Sequence, residues 1–84
     1  MRVNIVAVSG KLDESELFVY SKTGKRYRLY YIKVNNSITL PVVTKEDKYV
    51  PTSDEIVVFG KMISLYDKIA IWGVDFKLIR SLGD

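Results

Sequence analysis

Lys25-Arg26-Tyr27-Arg28-Leu29-Tyr30-Tyr31-Ile32-Lys33-Val34 is the stretch that decides how this chain folds. It holds three of the six tyrosines and four of the thirteen basic residues and carries no acidic residue. Its mix of aromatic and β-branched types suits a pleated strand. A strand turns successive side chains to opposite faces, so Tyr27, Leu29, Tyr31 and Lys33 point one way and Arg28, Tyr30, Ile32 and Val34 the other. The second set can enter a core once Arg28 is left at the rim. The first set, extended by Lys25 and Arg26, is a row of rings set among cations. Rings stack on bases and cations neutralise phosphates, which is the chemistry of a single-stranded nucleic-acid platform.

Upstream, Lys22-Thr23-Gly24 turns the chain into this strand from a short strand at Glu16 to Ser21, and Gly24 suits the left-handed position of a hairpin turn that ends in a bulge. Arg2 to Leu12 is rich in Val and Ile and forms the first strand. Gly10, near its end, marks a bend that lets one strand serve two sheets. Downstream, Asn35-Asn36 has the composition of a tight primed turn, and Ser37 to Thr44 follows as a strand. Pro41 cannot donate to a ladder, so that strand belongs at an edge, or else the proline nitrogen faces solvent. Thr44 to Glu55 is polar, contains Pro51 and reads as a loop in which Thr44-Lys45-Glu46-Asp47 has room to cap one helical turn. Ile56 to Leu65 and Ile69 to Ile79 are the last strands, joined by Tyr66-Asp67-Lys68. Short turns between strands, with no helical period of useful length, predict an all-β protein. The closest architecture is a five-stranded antiparallel Greek-key barrel of the OB type with little or no helix.

Composition limits the chemistry. At 84 residues the chain makes one domain, spanning 1–84, and buries only about 60 to 65% of its unfolded surface. Hydrophobic residues at 48% and charged residues at 27% are the values of a folded protein. The net charge of +3 is too small to identify a polyanion partner, but its distribution is informative: Lys22 to Lys33 carries five cations and no anion. The neighbouring Asp13, Glu14 and Glu16 read as a solvated loop. With neither cysteine nor histidine, the usual nucleophiles, general bases and zinc ligands are missing, so we expect no enzyme, no metal and no cofactor. The opening Met-Arg-Val-Asn-Ile-Val lacks the apolar stretch and small-residue cleavage site expected of a signal peptide, and no apolar run reaches the ~20 residues that span a bilayer. These features predict a cytoplasmic protein with no membrane partner.

A longer pattern runs through these segments: Gly10-Lys11-Leu12, Glu16-Leu17 with Tyr20, Thr23-Gly24-Lys25, Tyr30-Tyr31-Ile32-Lys33-Val34-Asn35, then Pro41-Val42-Val43 and Asp54-Glu55-Ile56-Val57-Val58-Phe59-Gly60-Lys61-Met62. It resembles the bacterial single-stranded DNA-binding protein family. The family's helix between its third and fourth strands is replaced here by a loop, its long last hairpin by a tight turn, and its acidic-tipped tail is missing. In these respects the chain is similar to the short, tail-less relative primosomal replication protein N. The resemblance implies base stacking at Tyr27, Tyr31 and Tyr66 and backbone contacts at Lys22, Lys25, Arg26, Lys33 and Lys61, with a third-strand ring position lost to Thr39. It implies single-stranded DNA binding with little sequence preference, in replication, recombination or transfer of DNA.

Two other readings fit the same residues. OB modules also bind RNA, and a barrel with outward tyrosines also serves as a protein-docking or structural adaptor subunit. Trp72 shares parity with Ala70, Val74, Phe76 and Leu78 and reads as core or interface. The last two strands are apolar on both faces, more than a small barrel can bury, which predicts a homo-oligomer, by default a dimer.

Overall fold

Each segment rich in β-branched and aromatic residues becomes a strand in the computed structural model of the chain, which describes residues 4–13, 16–20, 22–51 and 55–79. The expected strand start at Arg2, the Glu14-Ser15 connection, Ser21, Asp54 and the last residues Ser81-Leu82-Gly83-Asp84 lie outside them. The strands are β1 (Val6–Leu12), β2 (Glu16–Val19), β3 (Arg26–Lys33), β4 (Thr39–Lys45), β5 (Glu55–Leu65) and β6 (Lys68–Leu78). The protein is all-β with almost no helix, and no helix among the described residues is long and apolar enough to cross a membrane.

Among the described residues six strands, not five, form the sheet, and the pairing is not wholly antiparallel. Neighbours pair in the order β1-β5-β6-β4-β3-β2, and β1 also pairs with β3, so the contacts run in a cycle from which β2 stands out as an added edge strand on β3. β4 and β6 run parallel, Val42 beside Ile71 and Val43 beside Trp72. Every other pairing is antiparallel. β1 belongs to two neighbours as its glycine suggests: Val6 to Lys11 lie along β5, while Lys11 and Leu12 lie along β3. The crossover needs Gly10, because a Cβ there would stand 2.3 Å from the Lys33 carbonyl oxygen.

Turn chemistry follows the sequence at one end and departs from it at the other. Gly24 takes φ 69°, and the Tyr20 carbonyl accepts from both Thr23 N–H and Gly24 N–H. Asn35-Asn36 is not a primed turn, since neither residue has positive φ; instead Asn35 Oδ1 accepts from the N–H groups of Ser37 and Ile38 at 2.8 and 2.9 Å, an Asx turn. The two-residue loop with positive φ at both centres is Tyr66-Asp67, at 49° and 64°. Thr44 and Lys45 stay extended, and the turn after them closes through Lys48 N–H to the Lys45 carbonyl, so no helical turn is capped there. Pro41 lies in an internal strand opposite Tyr31. The Tyr31 carbonyl faces Asp13, away from β4, so by the alternation of an antiparallel pair the Pro41 nitrogen also faces outward, just before pairing with β6 begins at Val42.

Inside the cycle, Leu12, Tyr30, Ile32, Val42, Val50, Ile56, Val58 and Ile71 form the core, with Val6, Val8, Leu40, Phe76 and Leu78 packed against it. Each fully buried aliphatic residue contributes about 1.5 to 3 kcal/mol. Tyr30 and Ile32 face in, Tyr31 and Lys33 face out, as the period of two requires. Val34, grouped with the inward set by parity, is exposed because it lies past the strand end. Val50, from the polar loop, joins the core. No buried polar side-chain atom among the described residues lacks a hydrogen-bond partner.

Candidate nucleic-acid interface

Cross-strand partners share a face, so the pairing registers define the outward surface row by row. Phe18 stands opposite Tyr27, and Tyr27 opposite Lys45. Leu29 stands opposite Val43, which lies beside Trp72, and Trp72 is opposite Lys61. Tyr31 stands opposite Pro41. Val43 and Ala70 are buried yet sit outside the main core, beneath this outer layer of rings and aliphatics.

Two depressions in this surface join through shared residues. One, of about 540 Å³, is walled on one side by Phe18, Leu29, Tyr31, Thr39 and Pro41 and on the other by Leu65, Tyr66 and Lys68 from the tip of the β5-β6 hairpin. A smaller one continues from Phe18 and Leu65 to Tyr27, Val43, Ile63 and Trp72. From Tyr27 and Trp72 the path opens into a third depression, of about 530 Å³, lined by Lys25, Arg26, Lys45, Glu46 and Asp47. Lys48 flanks the far side of Trp72. The result is a groove with rings along its floor and cations concentrated at one end.

Ring geometry is set by packing. Phe18 and Tyr27 lie tilted with centroids 5.7 Å apart, and Tyr27 meets Trp72 edge to face, also at 5.7 Å. Such contacts hold each ring at a fixed angle and contribute roughly 0.5 to 1.5 kcal/mol beyond burial. Tyr31 and Tyr66 line the first depression but make no ring contact with each other among the described residues, leaving a gap between two aromatic walls. Tyr66 is 72% exposed and held in a left-handed conformation that non-glycine residues adopt at a cost of about 1 to 2 kcal/mol. Arg26 pairs with Glu46 at 2.9 Å, and Arg28, at the rim as expected, donates Nε–H to the Glu46 carbonyl at 3.2 Å.

The sequence-predicted residues divide in two. Lys25, Arg26, Tyr27, Tyr31 and Tyr66 line the groove, and Thr39 lines it where a ring was expected to be lost. Lys22 lies on the exposed hairpin tip, Lys33 at the strand end beside Thr39, and Lys61 across the ladder from Trp72; these three stand outside the lining of the depressions. Sequence reasoning missed Phe18, Lys45, Lys48 and Lys68. Phe18 follows once β2 is registered against β3, because it falls opposite Tyr27. Trp72 faces outward, not into the core: an irregularity at Phe59/Gly60 leaves Val74 without a partner, so Phe76 and Leu78 reach the core while Trp72, of the same parity, faces the groove.

The chain matches no protein-family model, no curated protein and no solved structure. Its function is therefore argued from the geometry.

Proposed function

We propose that this protein is an OB-type barrel that binds single-stranded DNA with little sequence preference and without catalysis. The cyclic strand order, with a bent β1 shared by two neighbours, supports the barrel. The observation that carries the function is the continuous groove in which Tyr31, Phe18, Tyr27 and Trp72 follow one another toward Lys25, Arg26 and Lys45. Every base has a π-face, so a run of rings accepts any sequence, while the cations follow the backbone charge. The rings also fit modest selectivity, since among the described residues no cluster of amide side chains lines the groove to read base edges.

Titration of oligo(dT) and oligo(U) at two salt concentrations, followed through the single tryptophan, tests this reading. Binding of oligo(dT) that weakens linearly in log salt supports it. Preference for oligo(U) would make the ligand RNA, and an interaction insensitive to salt would indicate protein docking on an apolar face.

We also propose self-association in the cytoplasm. Beyond the core, the face of the β5-β6 hairpin opposite the groove leaves Met62 and Ile69 exposed by 52% and 65%. Exposed apolar residues gathered in this way favour a second copy. A single species of monomer mass in sedimentation at tens of micromolar protein would remove this proposal.

A further inference from the structure

At the cationic end of the groove, one guanidinium already holds an anion. Arg26 Nη2 lies 2.9 Å from Glu46 Oε1, with both side chains about half exposed, and Lys25, Lys45 and Asp47 line the same depression beside the Tyr27-Trp72 ring pair. The Glu46 carboxylate is delivered there by its main chain. Arg28 Nε–H holds the Glu46 carbonyl, and Lys48 N–H closes the turn on the Lys45 carbonyl. Neither bond uses the Glu46 side chain. Its carboxylate is thus presented to Arg26 but free to leave without unravelling the turn.

Carboxylates and phosphodiesters use the same planar fork of a guanidinium, so they compete for it. We propose that Arg26, with Lys25 and Lys45, forms a phosphate subsite of the groove, and that Glu46 occupies this subsite until the phosphodiester of a bound strand displaces it. The subsite rests on the single-strand reading above and adds to it a specific anion position, next to the rings that take the adjoining base, and a competitor built into the protein. An exposed ion pair holds its partners by a factor of roughly 1.5 to 5, which is small enough for a strand to overcome and large enough to lower affinity measurably. Glu46 therefore lowers by the same factor the affinity of every strand that fills this subsite.

The test is oligo(dT) affinity by Trp72 fluorescence for the parent chain, Glu46→Gln, Asp47→Asn, Arg26→Ala and the Arg26→Ala/Glu46→Gln double variant. Glu46→Gln keeps the main-chain bonds of the turn and should bind about two- to five-fold tighter, with a salt slope steeper by up to about 0.7. Asp47→Asn removes the same charge from the same depression without touching the ion pair and should gain less. In the Arg26→Ala background, Glu46→Gln should gain nothing beyond what Asp47→Asn gains. Equal gains from Glu46→Gln and Asp47→Asn, or a full Glu46→Gln gain without Arg26, would show only general charge and overturn the subsite while leaving strand binding intact. Absence of oligonucleotide binding by the folded parent chain overturns both.

Discussion

Tyr30 and Tyr31 are chemically identical neighbours on opposite faces of β3, so replacing each by alanine separates fold from function. Tyr31 keeps 37% of its surface exposed, at the wall of the first depression. Taking roughly 220 Å² for a tyrosine, about 80 Å² remains for a base to cover, and at about 25 cal/mol per Å² this amounts to about 2 kcal/mol, or some thirty-fold in affinity. That figure falls inside the range of about 1 to 3 kcal/mol measured for base-aromatic stacking. Tyr31→Ala should therefore bind oligo(dT) about thirty-fold more weakly while unfolding at nearly the parental temperature. Tyr30 is only 6% exposed and belongs to the core. Emptying its site costs about 3 to 5 kcal/mol, a large part of the 5 to 15 kcal/mol of a typical domain, so Tyr30→Ala should lose its cooperative thermal transition. Tyr31→Phe keeps the π-face and should bind almost as the parent does. The assay pairs Trp72 fluorescence titration with thermal unfolding followed by circular dichroism. A folded Tyr31→Ala protein with undiminished affinity refutes the stacking argument, and an exchange of the two phenotypes would place the strand one residue out of register.

Two further substitutions probe the ends of the groove. Tyr66→Asn puts a residue that tolerates the left-handed region at φ 49° and should raise stability by about 0.5 to 1 kcal/mol while weakening binding, and parental affinity in this variant would take Tyr66 out of the binding path. Lys25→Ala with Arg26→Ala should weaken binding for all sequences alike and flatten the salt slope by up to about 1.4, with the folded state retained; an unchanged slope would make the hairpin edge protection.

What could be read from the residues alone was the local part of the structure. Strict alternation fixed which faces Tyr30, Tyr31, Ile32 and Lys33 take, because a period of two leaves no freedom within one strand. Gly10 was legible because a Cβ there would collide with the Lys33 carbonyl, and Gly24 because glycine takes a positive φ at no steric cost. The core half of the Trp72 reading failed where the Tyr31 reading did not, because parity carries over only along an uninterrupted ladder and the irregularity opposite Val74 resets it. The primed turn moved from Asn35-Asn36 to Tyr66-Asp67 because an Asx turn satisfies the first loop through a side chain, a choice that composition does not distinguish. The parallel pairing of β4 with β6 was not visible at all, since it joins residues far apart in the chain and leaves no local trace. Lys45 and Glu46 went unnoticed as groove residues because the polar segment from Thr44 reads as a loop, whereas β4 runs on to Lys45 and sets it opposite Tyr27.

The cyclic pairing also bears on the order in which the molecule assembles. The hairpins β2-β3, β3-β4 and β5-β6 join neighbours in sequence and can close early, whereas Val6 must find Gly60 and Val42 must find Ile71. Such distant closures slow folding, and the Val6 to Gly10 stretch of β1 waits unpaired until β5 exists. The groove has one wall from the early hairpins and one from the last, Tyr31 and Phe18 facing Leu65 and Tyr66, so it comes into being only when the late seam closes. A strand lying across both walls would then bind the closed state alone and hold the seam shut, making ligand concentration a determinant of how long each folded molecule lasts.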